Sequence, residues 1–144
     1  MPSWVVSAFN EYQQRMPTDY RLKLIEINAQ KRTKNSNLDK IAEQEEALIK
    51  KAIPTHTKLI ALDRQGQSFD TQHLAIKLQN WHDLSQDICI IIGGPEGLSK
   101  DFLKTMHESW SLSKLTLPHP LVRVIIAEQM FRAWSILSGH PYHR

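Results

Sequence analysis

The sequence predicts an α/β protein built on a mostly parallel sheet with helices on both faces. Three observations carry the prediction. Short apolar runs of strand length alternate with longer stretches at helical spacing, turn residues separate them, and the last apolar stretch is wider than one sheet face can bury.

The elements follow in chain order. From Ser3 to Arg15, Trp4, Val5, Ala8, Phe9 and Tyr12 recur at helical spacing, which predicts an amphipathic helix with Ser3 as its N-cap. After Pro17, the residues Leu22, Leu24, Ile25 and Ile27 predict a strand. The polar stretch Asn28 to Asn35 then leads to a helix that Ser36 and Asp39 open as a capping box. That helix sets Leu38, Ile41, Ala42, Leu48, Ile49 and Ala52 on one side and stops before Pro54.

Leu59 to Leu62 predicts a buried strand, Arg64 to Gln67 a turn around Gly66, and Thr71 to Leu84 a helix with Leu74, Ala75, Leu78 and Trp81 inward. Ile88 to Ile92 predicts the next strand. Beyond a glycine-rich loop, Ser99 caps a short helix bearing Phe102, Leu103 and Met106, and a mixed stretch runs from Ser111 to Leu117. Leu121 to Leu137 closes the chain as a helix.

Two features depart from a plain alternation. The first helix has no strand ahead of it although every later helix does, which predicts that a first strand is missing through truncation or an internal start. In the last helix, Val122, Val124, Ile125, Ile126, Ala127, Met130, Phe131, Ala133, Trp134, Ile136 and Leu137 cover more than one side. Deep burial within one domain would account for that. A chain of 144 residues has little else to surround such a helix, so a helix shared between the sheet and a dimer interface is the stronger expectation.

Composition bounds the classes. The length fits a single domain over residues 1–144, and 41% hydrophobic with 23% charged residues excludes wholesale disorder. Cys89 is the only cysteine and lies in an apolar run, so no internal disulfide can form and a reducing, cytoplasmic setting is expected. No run approaches the roughly 18 apolar residues that span a bilayer. The net charge of +3 and the cluster Lys31, Arg32, Lys34 fit either a phosphate-contacting loop or a solvated one.

Several chemistries lack their residues. His56, His73, His82 and His107 show no paired ligand spacing, so no metal site is expected. There is no G-x-S-x-G elbow, no H-E-x-x-H and no nucleophile with an obvious base. The loop in "IIGGPEGLS", Ile91 to Ser99, sits where anions are often held, but Pro95 removes an amide donor and Glu96 would repel a phosphate. A second loop, Leu112 to Pro120, follows. Ligands of open α/β sheets bind beyond the carboxyl ends of strands, so the two loops together could enclose a small cofactor.

The stretches "IIGGPEGLS", "ALDRQGQSFDT" and "SWSLSKLTLPHPLVRVIIAEQMFRAWSILSGHPYHR" resemble the ribosomal RNA large subunit methyltransferase H family, of the SPOUT class of trefoil-knotted methyltransferases. The resemblance runs along the whole chain and is closest in its last third. It implies a C-terminal trefoil knot, a homodimer, and an S-adenosyl-methionine-dependent enzyme that methylates N3 of a pseudouridine in large-subunit (23S) rRNA, on the assembled ribosome. By motif, Leu62, Gly93, Leu112, Ser113, Lys114, Leu115, Thr116 and Leu117 would contact the cofactor. The tail residues Tyr142, His143 and Arg144 would serve catalysis, Arg144 on phosphate or the transition state and the other two on the base. Arg123 and Arg132 could meet RNA or a partner subunit. Family members carry an apolar strand ahead of the first helix, in line with the missing element above. A non-catalytic RNA- or ribosome-binding protein of the same fold, or an inactive truncated product, are the alternatives.

Overall fold

A computed structural model describes residues 1–144. The helices are α1 (Ser3–Arg15), α2 (Leu38–Ala52), α3 (Thr71–Asp83), α4 (Lys100–Leu103) and α5 (His119–Ser138), and the strands are β1 (Thr57–Gln67), β2 (Asp87–Ile91) and β3 (Glu108–Trp110). Short 3₁₀ turns occupy Thr18–Tyr20 and Pro141–His143. The class is α/β, as the alternation predicted, and the sheet is wholly parallel in the order β2-β1-β3.

The chain forms two compact units, neither contiguous in sequence. One comprises Met1–Lys23, Ser68–Gln86 and Leu117–Arg144, and the other Leu24–Gln67 and Asp87–Thr116. The first is helical. In it α5 lies along both α1 and α3, which accounts for its width of apolar surface. Val5 and Phe9 of α1, Leu74, Ala75, Leu78 and Trp81 of α3, and Ile126, Ala127, Met130, Phe131 and Ala133 of α5 are buried. The inward set predicted for α3 is buried in full, because four apolar residues at spacings of one, three and three define a single helical stripe. Thr71 Oγ1 donates to Gln129 Oε1 at 2.8 Å and ties the start of α3 to α5. Leu121, Val122, Val124, Ile125, Trp134, Ile136 and Leu137 stay only half-buried. No helix is long and apolar enough to cross a membrane.

The second unit holds the sheet. β1 is its central strand, paired with β2 from Thr57↔Asp87 to Ala61↔Ile91 and with β3 from Ile60↔Glu108 to Leu62↔Trp110. Ile60 and Ala61 are fully buried there, Ile91 and Trp110 nearly so. Cys89 is half-buried in β2, and burial pushes its thiol up, so the sulfur stays protonated and packs as a small hydrophobe.

Several expectations are corrected. Leu22 to Ile27 is not a strand. Its alternation suits one, but a strand needs a neighbour with which to exchange backbone bonds, and this stretch has no ladder partner. Leu22 O instead accepts from Gln13 Nε2 at 2.8 Å, and Leu24 and Ile25 are exposed. Gly66 is not at a turn but inside β1, pressed against the backbone of β3. β3 has only three residues, too few to show a period, and went unread.

The caps shift as well. Ser3 is the first helical residue rather than the cap of α1, whose N-cap is Pro2; the Pro2 carbonyl accepts from Val5 N–H at 3.1 Å. Asn37 caps α2, accepting from the amides of Asp39 and Lys40, while Ser36 Oγ accepts from Thr33 N–H at 2.7 Å. On α2 the buried residues are Ile41 and Glu46, whereas Leu38 and Leu48 are exposed.

Candidate functional site

Parallel strands whose ends lie level deliver their following loops to the same edge of a sheet. Ile91, the last residue of β2, pairs with Ala61, and Trp110, the last of β3, pairs with Leu62. The two loops therefore leave the sheet at neighbouring levels, beside Ala61 and Leu62. Gly93 stands two residues beyond Ile91, and Leu112 two beyond Trp110. The register brings Leu62, Gly93 and the loop Leu112, Ser113, Lys114, Leu115, Thr116 to one edge of the second unit. Leu117 opens the segment that leads into α5 and belongs to the helical unit.

The glycine loop is a tight reversal. Gly97 N–H donates to Gly94 O at 2.9 Å, with Pro95 and Glu96 at the tip. Gly97 has φ 75°, the left-handed conformation that a side chain disfavours. A Cβ on Gly93 would meet the Gly97 carbonyl carbon at 2.9 Å, so the loop closes tightly on itself.

Two contacts hold this loop from α2 and the segment before it. Arg32 lies between two carboxylates. Its Nη2 is 2.8 Å from Glu45 Oε1 and 2.6 Å from Glu96 Oε2, and Nε donates to Glu96 Oε1 at 2.8 Å. Paired donors facing paired acceptors fix orientation as well as charge. The hydrogen bonds from Glu96 and Glu45 hold the guanidinium above its usual range, and the Arg32 hydrogen bond holds both carboxyls below theirs. Farther along α2, buried Glu46 accepts from Ser99 N–H at 2.8 Å and Ser99 Oγ at 2.7 Å, while Ser99 caps α4 by accepting from Phe102 N–H at 3.1 Å.

The pH consequence follows from the carboxyl shifts. A carboxylate bound more tightly in the folded state has a folded pKa below its unfolded one. The stabilisation is therefore present above the ordinary carboxylate range and is lost as pH falls through the folded value. The urea midpoint should fall as the protein is acidified below about pH 4, and the fall should be shallower in Glu96→Gln. An identical pH profile for the two proteins would mean that the clamp carries no linkage.

The second loop has anchors of its own. The pairing of β1 with β3 shifts register between Leu62 and Gln67, both set against Trp110, so residues 63–65 arch between them while Gly66 stays against β3. From this arch Arg64 Nη1 donates to Thr116 Oγ1 at 2.5 Å, and Gln67 O accepts from Ser111 N–H at 2.8 Å. Within the loop, Ser113 Oγ accepts from Leu115 N–H at 2.9 Å. Leu112 and Leu115 are 37% and 73% exposed, which leaves apolar side chains free along this edge.

Tyr142, His143 and Arg144 lie in the helical unit. α5 ends at Gly139, whose φ of 75° lets His140 N–H reach back to Ser135 O at 3.0 Å and turns the tail onto the helix. Tyr142 Oη is 3.2 Å from both Glu128 Oε1 and Tyr12 Oη, and its ring packs edge-on to Phe131 with centroids 4.7 Å apart. Arg132 lies 5.0 Å from the Tyr142 ring centroid and pairs with Glu128 at 2.7 Å. Burial, the Tyr12 hydrogen bond and the Glu128 charge hold the Tyr142 phenol well above its usual range. His143 Nδ1 is 3.1 Å from Ser135 Oγ, and Arg144 is exposed. The tail is a packed 3₁₀ turn.

Sequence reasoning missed Glu46, Glu45, Arg64 and Ser135. Glu46 carried a signal: it falls four residues after Ala42 and three before Ile49, on the stripe assigned to apolar burial. Arg32 was noticed only as a basic charge. Its partner Glu96 lies 64 residues away, beyond any local pattern.

Comparison with known proteins adds a second line. The family model described as "Predicted SPOUT methyltransferase" matches residues 1–143. The chain is similar to proteins named ribosomal RNA large subunit methyltransferase H from Legionella pneumophila strain Paris, at 54% identity, and strain Lens, at 53%. A protein of the same name from Thioalkalivibrio sulfidiphilus strain HL-EbGR7 is 50% identical. Each similarity covers 100% of this chain and 92% of the relative.

Proposed function

As this chain belongs to the SPOUT methyltransferase family, we propose that it is an rRNA methyltransferase that uses S-adenosyl-methionine to methylate N3 of a pseudouridine in 23S rRNA, on the assembled ribosome in the cytoplasm. The observation that carries the proposal is the meeting of Leu62, Gly93 and the Leu112–Thr116 loop at one sheet edge. The residues present suit this cofactor. It carries no phosphate, so a loop bearing Pro95 and Glu96 is compatible with it, and exposed Leu112 and Leu115 offer walls for an adenine ring. Leu117, at the end of the second loop, completes the set.

When bound, the cofactor supplies an electrophilic methyl group on a sulfonium, and alignment is left to the protein. The clamped glycine loop and the anchored Ser111–Thr116 loop hold their geometry before ligand arrives, which limits the ordering entropy that binding must overcome. The acceptor nitrogen must lose a proton. Tyr142 holds its own proton too firmly, and is too closely engaged by Glu128 and Tyr12, to act as the base, so its role is to shape the tail. His143 is the proton acceptor, and exposed Arg144 meets RNA phosphate. Lys31 and Lys34, exposed beside the engaged Arg32, are further phosphate contacts. A second copy covers the half-buried apolar side of α5, giving a homodimer.

The test is transfer of labelled methyl from S-adenosyl-methionine to ribosomes lacking the modification, with the product nucleoside identified by mass. Label on N3 of one 23S pseudouridine is expected. A folded protein that binds ribosomes yet neither binds the cofactor nor transfers methyl would instead be a non-catalytic binder.

A further inference from the structure

Ser135 is fully buried near the carboxyl end of α5, between Trp134 and Ile136, where a hydroxyl needs a partner. It has two. Ser135 Oγ is 2.7 Å from the carbonyl oxygen of Arg132, one turn back on α5, and 3.1 Å from His143 Nδ1 on the returning tail. A carbonyl can only accept, and a serine hydroxyl has one proton to give. The shorter contact takes that proton. The contact to His143 then has a serine oxygen with lone pairs but no hydrogen, so the hydrogen between them must come from the imidazole.

We infer that Ser135 is a positioning residue that holds His143 as the Nδ1–H tautomer and leaves Nε2 as its bare, basic nitrogen. The backbone supports the arrangement at the same residue, because Ser135 O accepts from His140 N–H at 3.0 Å and fixes the path of the tail. The charged and titratable groups around this turn include Glu128 and Arg132 of α5, Tyr12 and Arg15 of α1, and His140, Tyr142 and Arg144 of the tail itself. His140 Nδ1 is occupied separately, accepting from Tyr142 N–H at 3.2 Å, and Glu128 is taken up by Arg132 and Tyr142. Ser135 is the partner that orients the His143 ring.

This inference deepens the proposed function and rests on it in one respect, the use to which Nε2 is put. In the proposed reaction the acceptor N–H bond breaks, its proton passes to Nε2, and the electron pair remains on the acceptor nitrogen for the incoming methyl carbon. The other tautomer would present an N–H to the same atom and could not accept that proton. Orientation of a histidine base through its second nitrogen is a general way of setting which nitrogen is basic.

The experiment reads the proton directly. Nitrogen-15 spectra of the ring-labelled wild-type protein, without cofactor or RNA and at a pH where the ring is neutral, should show protonated Nδ1 and bare Nε2 at His143. In Ser135→Ala the population should move toward Nε2–H, and kcat for methyl transfer should fall by roughly tenfold or more with KM for ribosomes unchanged. A wild-type ring found as Nε2–H would overturn the inference whether or not the variant folds, as would an unchanged tautomer in a folded Ser135→Ala. A protein with the expected tautomer but no methyl transfer would count against the proposed function alone.

Discussion

Gly66→Ala is expected to lower stability by about 1–3 kcal/mol, and Gly66→Val to lower it further and to compromise solubility. A Cβ at Gly66 would lie 2.6 Å from the Ser109 carbonyl carbon and 2.7 Å from both Ser109 O and Trp110 N. These are backbone atoms of β3, not the ends of flexible side chains, so the strain cannot be relieved by a rotamer change. β1 and β3 would have to separate where Trp110, only 2% exposed, fills the core. The same displacement would reach the second loop through Gln67 O and Ser111 N–H. Urea denaturation of Gly66→Ala, with the exposed Gln65→Ala as control, measures the effect. An unchanged midpoint would restore the turn that the sequence suggested at this glycine.

On the proposed function, Arg32→Ala is expected to weaken S-adenosyl-homocysteine binding by roughly 10- to 100-fold, because small misplacements of a binding group have effects of that size. Removing the guanidinium deletes one of the two contacts that tie the glycine loop to α2, leaving that of Glu46 with Ser99, and sets Glu45 and Glu96 as neighbouring charges of like sign. Arg32→Lys should recover little, since one ammonium cannot serve two carboxylates with paired donors as a guanidinium does. Calorimetric titration of wild type, Arg32→Ala, Glu96→Gln and the double variant tests the arrangement. The two substitutions should combine to far less than the sum of their separate effects. Additive losses would show that Arg32 and Glu96 act independently of each other, and unchanged affinity in Arg32→Ala that the Gly94–Gly97 reversal and the Glu46–Ser99 contact sustain the loop without the clamp.

The legible parts of this fold are those whose information is local. α3 was visible because Leu74, Ala75, Leu78 and Trp81 form one stripe, and α4 because a serine cap precedes Phe102 by three residues. The failures share a cause. Leu22 to Ile27 has the alternation of a strand, but whether a strand forms depends on a partner elsewhere, and periodicity carries no information about partners. Gly66 looked like a turn because glycine is common in turns, whereas here it answers to the closeness of a strand more than forty residues on. Ser36 reads as the cap in the sequence and Asn37 serves in the structure, because both side chains can accept amides and only the backbone path decides.

The candidate site divides the same way. Nothing in spacing singled out Leu62 or Leu112 to Leu117; they entered through resemblance to a family, and the parallel register sets Leu62 and the loop from Leu112 to Thr116 at one edge of the second unit, while Leu117 belongs to the helical unit. Glu96 showed the limit most clearly. Its charge counted against a phosphate in the sequence, whereas its place in the structure depends on Arg32 from a segment without regular structure. Ser135 was silent because a serine among Trp134, Ile136 and Leu137 looks like a harmless interruption until the tail is seen to return to it.

The division of the chain into interleaved segments governs the order of events during synthesis. Translation delivers the amino end first, yet α1 must wait for α5, some hundred residues later, before its buried face is covered. β1 emerges before either of the strands that flank it. The sheet unit is complete only once Thr116 has emerged and the helical unit only with the last segment, so both mature late in synthesis, and a cut after Gln67 or after Gln86 divides both units at once.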